Sequence, residues 1–172
     1  MDRAAERKEI VMAFAEGTTV SAVKSKMEIE ELILKRAGRD SEFSSGQAAG
    51  IAAIQFCTKN RRVRFTLPLP TEDEAKKLKR RGYNLTPAQR AEWIDGETRR
   101  RWRCLLLTIK AKFEVVDTGI ETFDEAFLAN IVSAGGQTIY ERITMMGAEG
   151  KLLLGAVEES NVVELATQAR RS

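Results

Sequence analysis

The chain has no histidine among its 172 residues. It therefore lacks the usual general base near neutral pH and the commonest metal ligand, which removes many enzyme mechanisms at once. Cysteine is nearly as scarce. Cys57 and Cys104 lie in apolar surroundings, one on an expected strand and one on an expected helix, and read as unpaired buried thiols with no zinc site between them. No apolar run approaches the roughly 18 residues that would span a bilayer, so no membrane partner is expected. The opening MDRAAERKEIVMAFAEG mixes acids and bases before a short apolar stretch. It lacks the uninterrupted hydrophobic segment of a secretory signal, and the expected compartment is the cytoplasm. Internal repeats and low-complexity segments are absent too.

What is present is globular composition, with 43% hydrophobic and 31% charged residues. A chain of this length fits one domain and buries about 70% of the surface its unfolded form exposes. The net charge is only +3, but it is segregated: Arg61 to Ile120 carries fifteen Lys/Arg against eight Asp/Glu, and the remainder carries thirteen against seventeen. Such polarity suits an acidic partner or nucleic acid, although solvated charged faces show milder versions of it.

Helix starts are unusually legible. Ser25–Glu28, Thr86–Gln89, Thr122–Glu125 and Thr138–Glu141 each place a hydroxyl three residues before Glu or Gln, so each side chain can satisfy the other's exposed backbone N–H. After Ser25, the spacing of Ile29, Leu32, Ile33 and Ala37 predicts a helix ended by Gly38. Pro87 suits the first position of a long helix reaching Asp117, about 46 Å at 1.5 Å per residue, unless Asp95-Gly96 divides it. Gly119 ends it. A helix from Phe123 would offer Phe127, Leu128, Ile131 and Val132 to the core, and Ser133 to Gln137 would turn into a short helix over Ile139 to Met145.

Between Glu42 and Leu69 the period shortens to two, faintly around Phe43 and then clearly. Ala52, Ile54 and Phe56 share one face, as do Val63, Phe65 and Leu67, with a hairpin turn near Lys59-Asn60. The opposite face carries Arg62, Arg64 and Thr66. The stretch from Thr71 to Asn84, acidic and then lysine- and arginine-rich, reads as a mobile connection with some helix. The expected architecture is thus α+β: a small antiparallel sheet of two to three strands over about 42–69, packed against a long helix over about 87–117, with additional short helices. Residues 1–19 form a helical extension, 20–146 the single domain and 147–172 a tail, which leaves pairing with another chain, and hence a homo-oligomer, open.

The most basic stretch, TRRRWRCLLLTIKAKFEVV from Thr98 to Val116, is also a clean helical pattern. On a helical wheel Trp102, Leu105, Leu106, Ile109, Phe113 and Val116 fall within a stripe of roughly 100° that should face the sheet. Arg99, Arg103 and Lys110 border it on one side and Arg101 and Lys112 on the other, and Arg100 points away.

The segments RRVRFTLPLP, RRRWRCLLLTIKAKFEVVDTGIETFDEAFLANIV and KSKMEIEEL resemble a family of small proteins of undetermined function from bacteria, their phages and prophages, over approximately Val20 to Ile143. The resemblance implies no established activity and no catalytic residue. It implies a phage or prophage setting, with the host-cell cytoplasm as compartment, and this chain departs from the family pattern before Val20 and after Met146.

Two functions follow as expectations. The first is binding of nucleic acid, single-stranded DNA in particular, in support of recombination or replication. Lys59, Arg61, Arg62 and Arg64 would track phosphates on the sheet, and Arg99, Arg100, Arg101, Arg103 and Lys110 would form a second bank on the helix. A small sheet crossed by a long helix is analogous in outline to single-strand annealing proteins, which is analogy alone. Trp102 and Phe65 are expected in the core, and Trp93, Tyr83 and Tyr140 are not ordered into a stacking strip. The second is an accessory protein that binds and modulates a host protein, with arginine and tryptophan as anchors. Catalysis is not expected, and neither a cofactor nor a metal is called for. The tightest acidic group, Glu121, Asp124 and Glu125, sits where a helix start favours acids.

Overall fold

The computed structural model of the chain describes residues 17–37, 43–48, 50–58, 61–80 and 82–148. The expected N-terminal extension and tail lie outside the described residues, except for 17–19 and 147–148, as do Gly38 and Lys59. The architecture is α+β: a three-stranded antiparallel sheet packed against a long helix, with shorter helices around it.

The first helix, α1 (Ala22–Ala37), begins earlier than its expected cap. Ser21 Oγ accepts the Lys24 N–H at 3.1 Å, while Ser25 lies inside the helix, fully buried with no hydrogen-bond partner for its Oγ among the described residues. The capping pattern at Ser25 is therefore coincidental, since Ser21 caps the helix one turn earlier. Ile29 and Ile33 of α1 are completely buried.

Strands β1 (Phe43–Ala48), β2 (Ile51–Thr58) and β3 (Arg61–Pro68) pair in that order. Gly50, at φ +75°, supplies the left-handed turn between β1 and β2 that a side chain would resist. Ala52 stands opposite Leu67, Ile54 opposite Phe65 and Phe56 opposite Val63, so the expected apolar face forms as one surface. The far edge of β3 is partly closed by an isolated bridge between Val63 and Ile131, where the Val132 N–H donates to the Arg62 carbonyl at 2.8 Å.

The segment after β3 is structured where a mobile connection was expected. Thr71 Oγ1 accepts the Glu74 N–H and starts the short helix α2 (Glu72–Lys76), which buries Ala75. A small hairpin, β4 (Lys79–Arg80) with β5 (Tyr83–Asn84), turns at Gly82, φ +85°. Acids of α2 grip the next helix: Glu72 takes Arg90 and Glu74 takes Arg101. The acidic cluster thus folds by pairing across elements, which a linear reading does not reveal.

The long helix α3 (Pro87–Asp117) has the expected bounds, with Pro87 in its first turn and a complete capping box between Thr86 and Gln89. It runs through Gly96 without interruption. Trp102, Leu105, Leu106, Ile109 and Phe113 are buried against the sheet and α1, with Val116 partly so. Gly119, at φ +74°, follows the helix end. Next come α4 (Phe123–Phe127), a 3-10 turn (Leu128–Asn130) and α5 (Ile139–Ala148). Both Thr122–Glu125 and Thr138–Glu141 close their reciprocal caps. Phe127 is fully buried at the centre of Phe56, Phe65, Phe113 and Phe123, but Leu128 is exposed, contrary to expectation. Ile131 and Val132 leave the helical period to form the bridges beside β3, and the face on which Leu128 falls turns to solvent.

Candidate nucleic-acid interface

Strand register fixes which face each cation takes. Arg62 and Arg64 alternate with Val63 and Phe65 and lie on the surface opposite the core, where the cross-strand rows are Ser44–Gln55–Arg64, Gly46–Ala53–Thr66 and Ala48–Ile51–Pro68. Helix α3 packs on the other side. Apart from Arg62 and Arg64 the strand residues of this outer face are uncharged, and Ser44, Gly46, Ala48, Ile51 and Thr66 are exposed, while Ala53 and Gln55 are half-buried. The two expected cationic banks do not join into one surface: the sheet separates Arg62 and Arg64 from the arginines of α3.

Arg61 falls on the core-side face at the sheet's end. Its Nε and Nη2 donate to Asp124 of α4 at 2.8 and 2.6 Å. The hydrogen bond from Arg61 holds the Asp124 carboxyl below the usual carboxylate range, against the opposing effect of desolvation and with further help from the Arg61 charge. Arg64 donates to Glu141 of α5 at 2.7 Å. The Glu141 carboxyl is also depressed, first by the Thr138 backbone N–H and further by Arg64. Arg62 is exposed and has no acidic partner among the described residues.

On α3, most of the arginines engage neighbouring acids. Arg101 reaches Glu97 at 3.0 Å, Glu74 at 2.8 Å and the Pro68 carbonyl at 2.9 Å, tying α3 to α2 and to the end of β3. Arg103 pairs with Glu28 of α1 at 3.0 Å. Arg99 pairs with Asp95, and Arg100 with Glu97 at 3.1 Å. Lys110 is exposed beside Glu28, Glu31 and Lys35 in a groove between α1 and α3. Lys112 donates to the Ala126 carbonyl and sits over the Phe127 ring. The cationic margins of the packing stripe therefore serve first as latches between elements, and their charge is mostly cancelled locally.

Some of this was available in the sequence. Asp95–Arg99, Glu97–Arg100 and Glu97–Arg101 stand three or four residues apart on one helix, the spacing at which side chains meet. The long-range latches, including Arg36 of α1 with Glu114 and Asp117, leave no such local signal. The thiols also differ from expectation: Cys104 is exposed and Cys57 half-buried. Cys104 follows Arg103 on the flank of the stripe, facing the groove that Pro68 and Thr108 line.

The carboxylates around α4 do not converge. Glu121 is exposed, Asp124 is held by Arg61, and Glu125 closes the cap with Thr122. Among the described residues no group of three or more His, Cys, Asp or Glu is placed to hold a metal ion, and no helix is long and apolar enough to cross a membrane. The chain matches no family model, no curated protein and no solved structure.

Proposed function

We propose that the protein is a non-enzymatic binding protein whose ligand is single-stranded nucleic acid, DNA in particular, taken on the outer face of the three-stranded sheet. One observation carries this reading: Arg62, with no acidic partner among the described residues, and Arg64 share a face whose strand residues are otherwise uncharged, Ser, Gly, Ala and Thr with Gln55, Ile51 and Pro68. A phosphate backbone can approach such a face closely, and the exposed Arg62 guanidinium can meet it with several donors. A role in recombination or replication within a phage or prophage setting belongs to the same proposal.

Fluorescence anisotropy with single- and double-stranded oligonucleotides at two salt concentrations tests it. Affinity for the single strand should fall with salt at a log–log slope of about 0.7 per neutralised phosphate. Absence of binding at low salt refutes the proposal.

A second reading, binding to a host protein, is favoured by β1. This edge strand, FSSGQA, carries no charge and is exposed along Ser44 to Ala48 on both faces. Natural edges are usually blunted by charges, proline or bulges, and an open one suits pairing with a partner's strand. Binding of that kind would be nearly indifferent to salt.

A further inference from the structure

The glycine within α3 marks a second site. Gly96 lies in the interior of the continuous helix α3, where glycine is disfavoured relative to alanine. No close packing demands it there. A methyl group added at Gly96 would meet only Arg99 Nη2, at 3.8 Å, an ordinary contact. What the missing side chain does create is the floor of a cleft of about 380 Å³, lined by Thr18, Thr19, Trp93, Gly96, Arg99 and Arg100 together with Gly17 and Glu97. That volume lies within the range of about 300–1,000 Å³ common to small-molecule sites.

The polar atoms in the cleft are incompletely used. Asp95 takes only Nη1 of Arg99, and Glu97 only Nη1 of Arg100. The Nε atoms of both arginines are buried with no hydrogen-bond partner among the described residues, and they make up half of the buried side-chain polar atoms left in that state. Buried donors of this kind ordinarily find an acceptor. The Nη2 atoms of both guanidinium groups also make no hydrogen bond among the described residues and, beside the hydroxyls of Thr18 and Thr19, suit a phosphate. Trp93, half-buried on the same face one turn before Gly96, presents an indole for stacking.

We infer that this cleft binds one nucleotide, with its base against Trp93 and its phosphate on Arg99 and Arg100, and that Gly96 is retained to let the nucleotide approach the helix backbone. The nucleotide could be free or part of a single strand. The inference deepens the nucleic-acid reading but uses a site separate from the sheet face, so either can fail alone.

The experiment uses tryptophan fluorescence of the full chain. Trp102 is buried beneath Lys26 and serves as an internal reference, so quenching reports Trp93. Thymidine monophosphate, a short oligothymidylate and inorganic phosphate are titrated separately. We expect both nucleotides to quench, phosphate alone not to, and Trp93→Leu to abolish the response. Gly96→Ala should weaken nucleotide binding by about tenfold or more while leaving the melting temperature unchanged or higher. That pairing of lost binding with undiminished stability separates a ligand role from a structural one. Stronger binding of the oligothymidylate would assign the nucleotide to a strand, and equal binding to a free nucleotide. Arg62→Ala, on the opposite face, should leave thymidine monophosphate quenching intact whether or not oligonucleotide anisotropy falls. Absence of quenching by either nucleotide, binding of phosphate as tight as that of thymidine monophosphate, or undiminished affinity in Gly96→Ala would overturn the inference.

Discussion

Arg64 of β3 and the Thr138 backbone N–H converge on one oxygen, Glu141 Oε2, each at 2.7 Å. A single carboxylate thus completes the cap of α5 and ties that helix to the sheet. Its two roles can be separated because glutamine can occupy the third helical position of a capping box but cannot pair ionically. Glu141→Ala should lower stability by about 1–2 kcal/mol, a fall in melting temperature of about 2–8 °C for a chain of this size. Glu141→Gln should cost less than half as much, since a partly exposed ion pair contributes little. Differential scanning calorimetry of the two variants checks the order, and equal losses would assign the whole effect to the ion pair.

The carboxylates that the fold depresses set the acid limit. Asp124 and Glu141 lie below their ordinary values of 3.8 and 4.5 because hydrogen bonds from Arg61 and from Thr138 favour the charged forms. A group whose folded pKa is depressed contributes stability above its unfolded pKa and loses it as pH falls through the folded one. Stability should therefore begin to drop as pH goes below about 4.5 and continue to fall through the lower folded-state values. Above that, the absence of histidine predicts a plateau from about pH 5 to 8. Urea denaturation across pH 3–8 measures both; a transition centred near pH 6.5 would contradict this account.

Arg62 and Arg64 share a face but not a structural burden. Arg64 is clamped to Glu141, with its backbone carbonyl accepting from Asn130 at 3.3 Å, whereas Arg62 has no acidic partner among the described residues. Arg62→Ala should weaken single-strand binding and change stability by less than about 0.5 kcal/mol. Arg64→Ala should weaken binding and also destabilise, by about 1 kcal/mol. Anisotropy and thermal melts on the same preparations compare them. Loss of stability in Arg62→Ala would mean that Arg62 has a structural partner.

Local signals carried the architecture and long-range charge pairing carried the surprises. The period-two alternation of Ile54, Phe56, Val63 and Phe65 and the capping boxes at Thr86 and Thr122 depend on neighbours within a few residues, so they are readable directly and hold in the structure. The basic run on α3 was equally visible, but its meaning depended on Glu28, Glu74 and Glu97, two of which come from other elements. Trp93 and Gly96 illustrate the limit from the other side. Their helical spacing was plain, yet only the approach of Thr18 and Thr19 makes a cleft of them. Helix α2 was legible only as some helix within a mobile connection, because its acids gain their partners, Arg90 and Arg101, only once α3 has folded back.

The centre of that packing is open to a direct measurement. Phe127 is fully buried, with ring centroids 4.5 Å from Phe123, 5.1 Å from Phe113 and 6.2 Å from Phe56. Helix α4 has only five residues and cannot hold itself on the sheet through backbone hydrogen bonds alone. Its attachment rests on this ring, on Asp124 with Arg61 and on Lys112 with the Ala126 carbonyl. Phe127→Ala removes the ring, and the cavity left among Phe56, Phe65, Phe113 and Phe123 has little means of collapse. The expected cost is about 3–5 kcal/mol, a large share of the 5–15 kcal/mol (roughly) that stabilises a typical domain. Phe127→Leu should avoid more than half of that loss by keeping apolar volume. The urea midpoint should shift in both variants with an unchanged slope, because the surface exposed on unfolding stays the same. A loss below about 1 kcal/mol in Phe127→Ala would show that the aromatic cluster is not the core that anchors α4.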